Sequence, residues 1–114
     1  MAAPLIKQNE PLYMLLREGK VEEFNRRKAA GERCDLRDCD FRGLDLRGWD
    51  AASLDLANGY FRQADLRGVD LSSANLQGAS LHSTKISGAY FPAALSADEI
   101  SLSFEHGTRM RYGE

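Results

Sequence analysis

Three consecutive groups of five residues read Ala64-Asp65-Leu66-Arg67-Gly68, Val69-Asp70-Leu71-Ser72-Ser73 and Ala74-Asn75-Leu76-Gln77-Gly78. The same frame runs without insertion from residue 34 to residue 93 and makes twelve such groups, here called pentads. The middle residue of every pentad is apolar, and the residue before it is Asp or Asn in eight of the twelve. A period of five fits neither a helix, at about 3.6 residues per turn, nor a long strand that alternates every two residues. It predicts a chain that turns a corner once per pentad, at corners that suit Asp, Asn, Ser and Gly.

The pattern of a small residue, Asp or Asn, Leu and two variable residues resembles the pentapeptide-repeat family, most clearly at 64–68 and 74–78. The resemblance covers 60 of the 114 residues and stays in phase throughout. It implies an all-β solenoid, namely a right-handed quadrilateral β-helix of about three coils with four pentads in each coil. In that fold the middle side chain of each pentad, and the usually small side chain two residues before it, point inward.

With twenty residues per coil, residues twenty apart are expected to stack. The four inward columns would be Leu36-Leu56-Leu76, Phe41-Phe61-Leu81, Leu46-Leu66-Ile86 and Ala51-Leu71-Phe91. Trp49 falls in the slot that is usually small, and its own pentad has Ala51 at the middle, so that a large residue beside a small one conserves core volume. The alternative is that Trp49 is exposed. Cys34 and Cys39 fall in the inward slot of adjacent pentads, and we expect reduced structural thiols rather than a disulfide or half of a metal site.

The ends of a solenoid need caps, because an end coil cannot bury itself. We expect a single folding unit with a helical cap at 1–33, the β-helix at 34–93, and a second cap and tail at 94–114. In the first cap, one helix is predicted to begin at Pro11 and another to span residues 21–30, each ended by a glycine.

The segment 97–106 carries two competing signals. Ser96 followed three residues later by Glu predicts a capped helix. Ile100, Leu102 and Phe104 alternate with Ser, which is strand spacing. We favour a short helix and keep the strand as the alternative.

Composition is that of an ordinary soluble globule, with 28% charged residues and a net charge of −2. The sequence has no apolar run long enough to cross a membrane and no signal-peptide pattern, which predicts a cytoplasmic protein without a membrane partner. No cofactor is expected, because the glycines follow the five-residue period rather than a phosphate loop or dinucleotide fingerprint. His82 and His106 join no recognisable set of nucleophile, base and orienting acid, so we do not expect an enzyme.

Arginines recur on two neighbouring outer faces, one residue after the middle of the pentad. The candidate partner-binding strip, here called the arginine strip, consists of Arg42, Arg47, Arg62, Arg67 and His82. A guanidinium group suits a carboxylate or a phosphate because it can donate two parallel hydrogen bonds to it. The alternative is that the Asp columns one residue before the middle neutralise these arginines as a surface ladder, which contributes little.

These patterns predict a non-enzymatic module that binds another protein of unidentified nature through its regular faces, and they leave monomer or homodimer open. The resemblance implies an alternative, a DNA-mimicking modulator of DNA gyrase or topoisomerase. It is disfavoured because three coils stacked ~4.8 Å apart rise only about 10–14 Å, against ~34 Å for a turn of B-DNA. Direct nucleic-acid binding is also not expected, because the Asp columns repel phosphates. The aromatic and apolar side chains considered for an exposed interface are Tyr13, Met14, Tyr60, Phe91 and Tyr112.

Overall fold

The computed structural model describes residues 3–113. Two short helices, α1 (Pro11–Arg17) and α2 (Val21–Ala29), precede the pentads, and α3 (Ala97–His106) follows them. Pro11 takes the first position of α1, where its missing N–H costs nothing. Both N-terminal helices therefore lie where the sequence predicts them.

The helical interpretation of residues 97–106 is confirmed and the strand alternative is wrong. Ser96 caps α3 by accepting a hydrogen bond from the amide of Glu99 at 3.2 Å, and Gly107 ends it in the left-handed conformation. These two end signals prevail over the alternation of apolar residues. As a result Leu102 and Phe104 are exposed and Ser103 is buried.

Between α2 and α3 the chain makes a turn in each pentad and returns alongside itself every twenty residues. The two residues after each middle residue form a turn, from 37–38 to 87–88. Parallel bridges then join residues twenty apart, and they are Asp40 to Tyr60, Tyr60 to Ser80, Asp45 to Asp65, Asp65 to Lys85, Asp55 to Asn75 and Asp70 to Tyr90. The chain thus returns alongside itself every twenty residues, as expected. The bridges are single, and no continuous strand or sheet forms between residues 3 and 113.

The Asp and Asn preference has a direct local cause. Each of the eight side chains accepts a hydrogen bond from the amide two residues later, at 2.9 to 3.2 Å. The eight residues are Asp35, Asp40, Asp45, Asp50, Asp55, Asp65, Asp70 and Asn75. The side chain thereby holds the corner that the backbone makes.

The inward columns form the core. Phe41 and Phe61 stack with ring centroids 4.7 Å apart, one coil above the other. Trp49 is 3% exposed and packs against Phe41 and against Phe24 of α2, which confirms its inward placement. At the other end of the stack the core is less well covered, because Ile86 is only half-buried.

Both ends of the pentad region are covered in part by the flanking segments. On the N-terminal side, Leu5 makes a parallel bridge with Cys39. On the C-terminal side, three hydrogen bonds stand in for a further coil, from Leu81 N to Ser103 Oγ (2.8 Å), from Gly78 N to Met110 O (2.8 Å) and from Leu76 N to the hydroxyl of Tyr112 (2.9 Å).

Tyr13, one of the five side chains considered for an exposed interface, is instead buried. Its ring is fully buried edge-on against Phe41, and its hydroxyl donates to the carbonyl of Asp40 at 2.6 Å. A buried tyrosine is stable when its hydroxyl finds such an acceptor. The other four side chains considered for the interface are half-buried, and the large apolar side chains that are exposed are Leu5, Ile6, Tyr90, Leu102 and Phe104.

Candidate partner-binding surface

The arginines of the pentads fold back onto the aspartates that hold the corners. Arg67 donates from Nε to Oδ1 of Asp65 at 2.9 Å and from Nη2 to Oδ2 at 2.7 Å. Arg47 binds Asp45 in the same way at the same two distances. Because the carboxylate is already fixed by the backbone amide of the arginine, the guanidinium is held with its plane and position defined.

Arg42 and Asp40 form the most buried of these pairs. The Asp40 carboxylate is almost fully buried, and Nη2 of Arg42 donates to its Oδ2 at 2.8 Å. Burial raises the pKa of Asp40, but the hydrogen bonds from Arg42 outweigh it and hold the pKa below its usual value. The guanidinium of Arg42 also lies over the ring of Tyr60, 5.4 Å from the centroid.

Asp65 joins two coils electrostatically. Its side chain is 13% exposed and contacts both Arg67 and, across the coil spacing at 3.4 Å, Nε of Arg47. The hydrogen bonds from Arg67, with the charge of Arg47, lower the pKa of Asp65 to about 2. This contact offsets the repulsion between Asp45 and Asp65, which the parallel bridge places side by side.

Arg62 differs from the other members of the arginine strip. Tyr60 occupies the position two residues earlier where the other arginines of the pentads find Asp. Within residues 3–113, the Arg62 side chain accordingly makes no hydrogen bond or ion pair. Arg62 therefore retains a guanidinium fork that a partner could bind.

His82 lies in the same column as Arg42 and Arg62 but does not extend the strip. It is half-buried beneath the C-terminal end of α3, next to Gly107. Its Nδ1 is buried and finds no partner in the described part of the chain. The structure thus brings the four arginines onto neighbouring faces and turns the histidine towards the cap.

Lys85 and Phe104 are surface features that the sequence analysis missed. Lys85 stands at the corner position where eight pentads have Asp or Asn, and it makes no ion pair with any residue of the described range. Phe104, on α3, and Lys85 line a shared groove of 500 Å³. The signal available in the sequence was the substitution of a cation for the usual acid in this one pentad.

The two cysteines are free, with Cys39 buried and Cys34 half-buried. Burial raises the pKa of Cys34 to about 11 and that of Cys39 to about 12. Residues 3–113 contain no group of three or more His, Cys, Asp or Glu side chains that could hold a metal ion. The helices described here are also too short to span a lipid bilayer.

Comparison with known proteins gives one match. Residues 52–91 fit a family model described as pentapeptide repeats, in eight copies. No match to the chain was found among curated proteins or among solved structures. The pentads at 34–51 precede the matched range in the same frame, and the bridge from Asp45 to Asp65 connects them to it.

Proposed function

The chain is a pentapeptide-repeat protein, and from this premise we propose that it forms a right-handed, four-sided β-helix of three coils that serves as a cytoplasmic, non-enzymatic protein-binding module. The turn in each pentad and the parallel bridges between residues twenty apart support that architecture. The buried inward columns support it further, since they stack as the coils require.

The observation that carries the binding function is the fixed lattice of side chains on the arginine faces. Arg42, Arg47 and Arg67 are each held by bonds from Nε and Nη2 to one carboxylate, which a backbone amide orients in turn. Ordering long side chains on binding costs about 0.5–1.5 kcal/mol each. A surface whose side chains are already ordered avoids much of that cost, which favours recognition of another protein.

The chemistry of the partner follows from Arg62. It is the one arginine of the pentads without a carboxylate among the described residues, and it lies between neighbours that are already neutralised. A partner that places an acidic side chain opposite Arg62, with polar groups around it, fits this face. Nucleic acid fits less well, because phosphates would approach Asp45 and Asp65 as well as the arginines.

A DNA-mimicking modulator of gyrase is not the function we propose. Such a mimic needs an extended acidic surface, whereas the aspartates on these faces are bound by arginines and the net charge is only −2. The greatest dimension of the protein, caps included, is 35 Å, about one turn of B-DNA, so the charge of these faces rather than the length of the whole protein argues against a mimic.

Affinity capture from a lysate of the source organism tests the proposal. We expect wild-type protein to retain a partner that Arg62→Glu loses. Arg33→Glu is the matched control, because Arg33 is exposed and makes no ion pair in the described chain. Capture that is absent with wild type, or equal for wild type and Arg62→Glu, would contradict the proposal.

A further inference from the structure

One face of the stack ends in an open backbone edge on its C-terminal side. Between the second and third coils, the amides of Leu66 and Gly68 donate to the carbonyls of Lys85 and Ser87, and the amide of Lys85 donates to the carbonyl of Ala64. One coil later the equivalent groups are the amides of Ile86 and Gly88 and the carbonyl of Thr84. None of the three has a hydrogen-bond partner within residues 3–113. The C-terminal segment thus bonds to the faces at 74–78 and 79–83 but leaves this one open. On the next face, the amides of Phe91 and Ala93 likewise have no partner within residues 3–113.

The face that carries Lys85 is also open on the N-terminal side. The amide and carbonyl of Asp45 and the carbonyl of Arg47 have no partner in the described range. The adjacent faces of the first coil are covered, because Leu5 bonds to the backbone of Asp38 and Asp40. On the other side of the open face, Asn25 of α2 bonds to the carbonyl of Gly48 and the amide of Asp50.

The two open edges are complementary to each other. In the register already used between coils, the amide of Ile86 would donate to the carbonyl of Asp45. The amide of Gly88 would donate to the carbonyl of Arg47, and the amide of Asp45 to the carbonyl of Thr84. We propose that a second copy of this chain binds here head to tail, with Asp45-Leu46-Arg47 of one copy added to residues 84–88 of the next.

The side chains favour this pairing over others. It places Asp45, whose side chain is 56% exposed, beside Lys85, which has no acidic contact in residues 3–113. It also places half-buried Ile86, and Phe104, which is 40% exposed, against the 45–47 segment of the second copy. The Leu46 side chain is fully buried in its own copy, so that segment contributes its backbone to the contact. Two C-terminal edges facing each other would instead bring Lys85 against Lys85, and two such edges offer two donors for every acceptor.

The contact is confined to this face, and a helix borders each of its edges. Residues of α2 line a groove with Asp45, Arg47 and Gly48, and Phe104 of α3 lines the groove of Lys85 and Ile86. Joined copies therefore meet at an angle, and the association is weak. A contact between two different surfaces leaves a free edge on each copy, so it produces assemblies that grow with concentration, as a ring if the rotation between copies closes and as a chain if it does not. The opposing possibility is that Lys85 serves to keep an open edge from pairing, a common use of lysine at exposed edges.

Sedimentation equilibrium of purified protein from micromolar to millimolar concentration tests the proposal. The wild-type mass should rise with concentration, and Lys85→Glu or Asp45→Lys should each weaken association roughly five- to tenfold. An equimolar mixture of the two variants should restore association, because each edge then meets the opposite charge. Asp55→Lys is the matched control, since Asp55 has the same corner position on another face.

Asp45→Asn guards against misfolding of Asp45→Lys, because Asn keeps the acceptor for the Arg47 amide and should still weaken association. Amide exchange gives an independent readout, in which the amides of Ile86 and Gly88 become protected as wild-type concentration rises. A monomeric mass throughout the range, or association that neither charge reversal changes, overturns the proposal. Arg62 is unchanged in all these variants, so the result is separate from that of the partner capture.

Discussion

Asp65 receives both Nε and Nη2 of Arg67, at 2.9 and 2.7 Å, and so fixes the direction of that guanidinium. Five residues earlier, Arg62 occupies the equivalent position but follows Tyr60 instead of an aspartate. The residue at the corner position therefore decides the role of the arginine. Arg67 is paired with a carboxylate of the fold, whereas Arg62 is available to a partner. The two residues should therefore respond differently to the same change.

Arg67→Ala should lower the urea midpoint of unfolding, because it leaves the largely shielded carboxylate of Asp65 with the longer contact to Arg47 as its only cationic partner, beside the corner amide. Arg62→Ala should leave the midpoint unchanged, since its side chain contacts no acid in the described residues. Urea titrations followed by circular dichroism compare the two. Equal losses for both variants would mean that the Arg67 pair contributes nothing to stability.

Acid should weaken the fold in part through Asp65. Its pKa is lowered from 3.8 to about 2 in the folded protein, so the unfolded chain takes up the proton first. The stabilisation is complete above the unfolded pKa and is lost as pH falls from about 4 towards 2. Asp65→Asn keeps the acceptor for the corner amide and should flatten the decline of the urea midpoint over this range. A decline of the midpoint that is as steep for Asp65→Asn as for wild type would contradict this explanation.

The five-residue period predicts the inward columns because a middle side chain that leaves the core would expose apolar surface at every coil. Leu56 and Leu66 are accordingly buried, and Trp49 is accommodated beside Ala51. The period does not predict the path of the flanking segments. Tyr13 is buried because α1 packs its ring against Phe41 and brings its hydroxyl to the carbonyl of Asp40.

The surface was predictable in composition but not in pairing. Arg42, Arg62 and Arg67 occupy the same position in their pentads. Only the residue two positions earlier decides whether a carboxylate binds the guanidinium. His82 belongs to the same column, yet α3 covers it in part, and nothing in the pentad pattern specifies where α3 packs.

Gly48 provides a test of backbone strain at the corners. Its φ is 81° and a Cβ there would meet nothing within 4 Å, so Gly48→Ala changes conformational strain alone. We expect a loss of about 1–2 kcal/mol in the free energy of unfolding. Gln63 has the same pentad position, with φ 61°. Gln63→Gly should not destabilise the protein in this way, because the relief of backbone strain offsets the extra entropy that glycine gives the unfolded chain. Destabilisation by Gln63→Gly as large as that by Gly48→Ala would contradict this explanation.

Tyr13→Phe should cost about 1–2 kcal/mol of unfolding free energy, because it removes a buried hydroxyl that donates to the carbonyl of Asp40. The ring and its contact with Phe41 remain, so the loss reports the hydrogen bond. Tyr90→Phe is the matched control, since Tyr90 is 66% exposed and should show no change. Chemical denaturation of both variants gives the comparison, and a neutral Tyr13→Phe would show that the N-terminal cap does not depend on this bond.

The cysteines should react with a thiol reagent in an order set by burial. The thiolate is the reactive form, and burial raises the pKa of Cys34 to about 11 and of Cys39 to about 12. At pH 8 both should react far more slowly with Ellman's reagent than they do in urea, with half-buried Cys34 preceding Cys39. Cys34→Ser assigns the phases, because it should remove the faster one and leave a slow phase whose rate follows the opening of the core around Cys39. A Cys39 thiol that reacts in the folded protein as fast as in urea would show that the first coil is not closed by α1 and the Leu5 bridge.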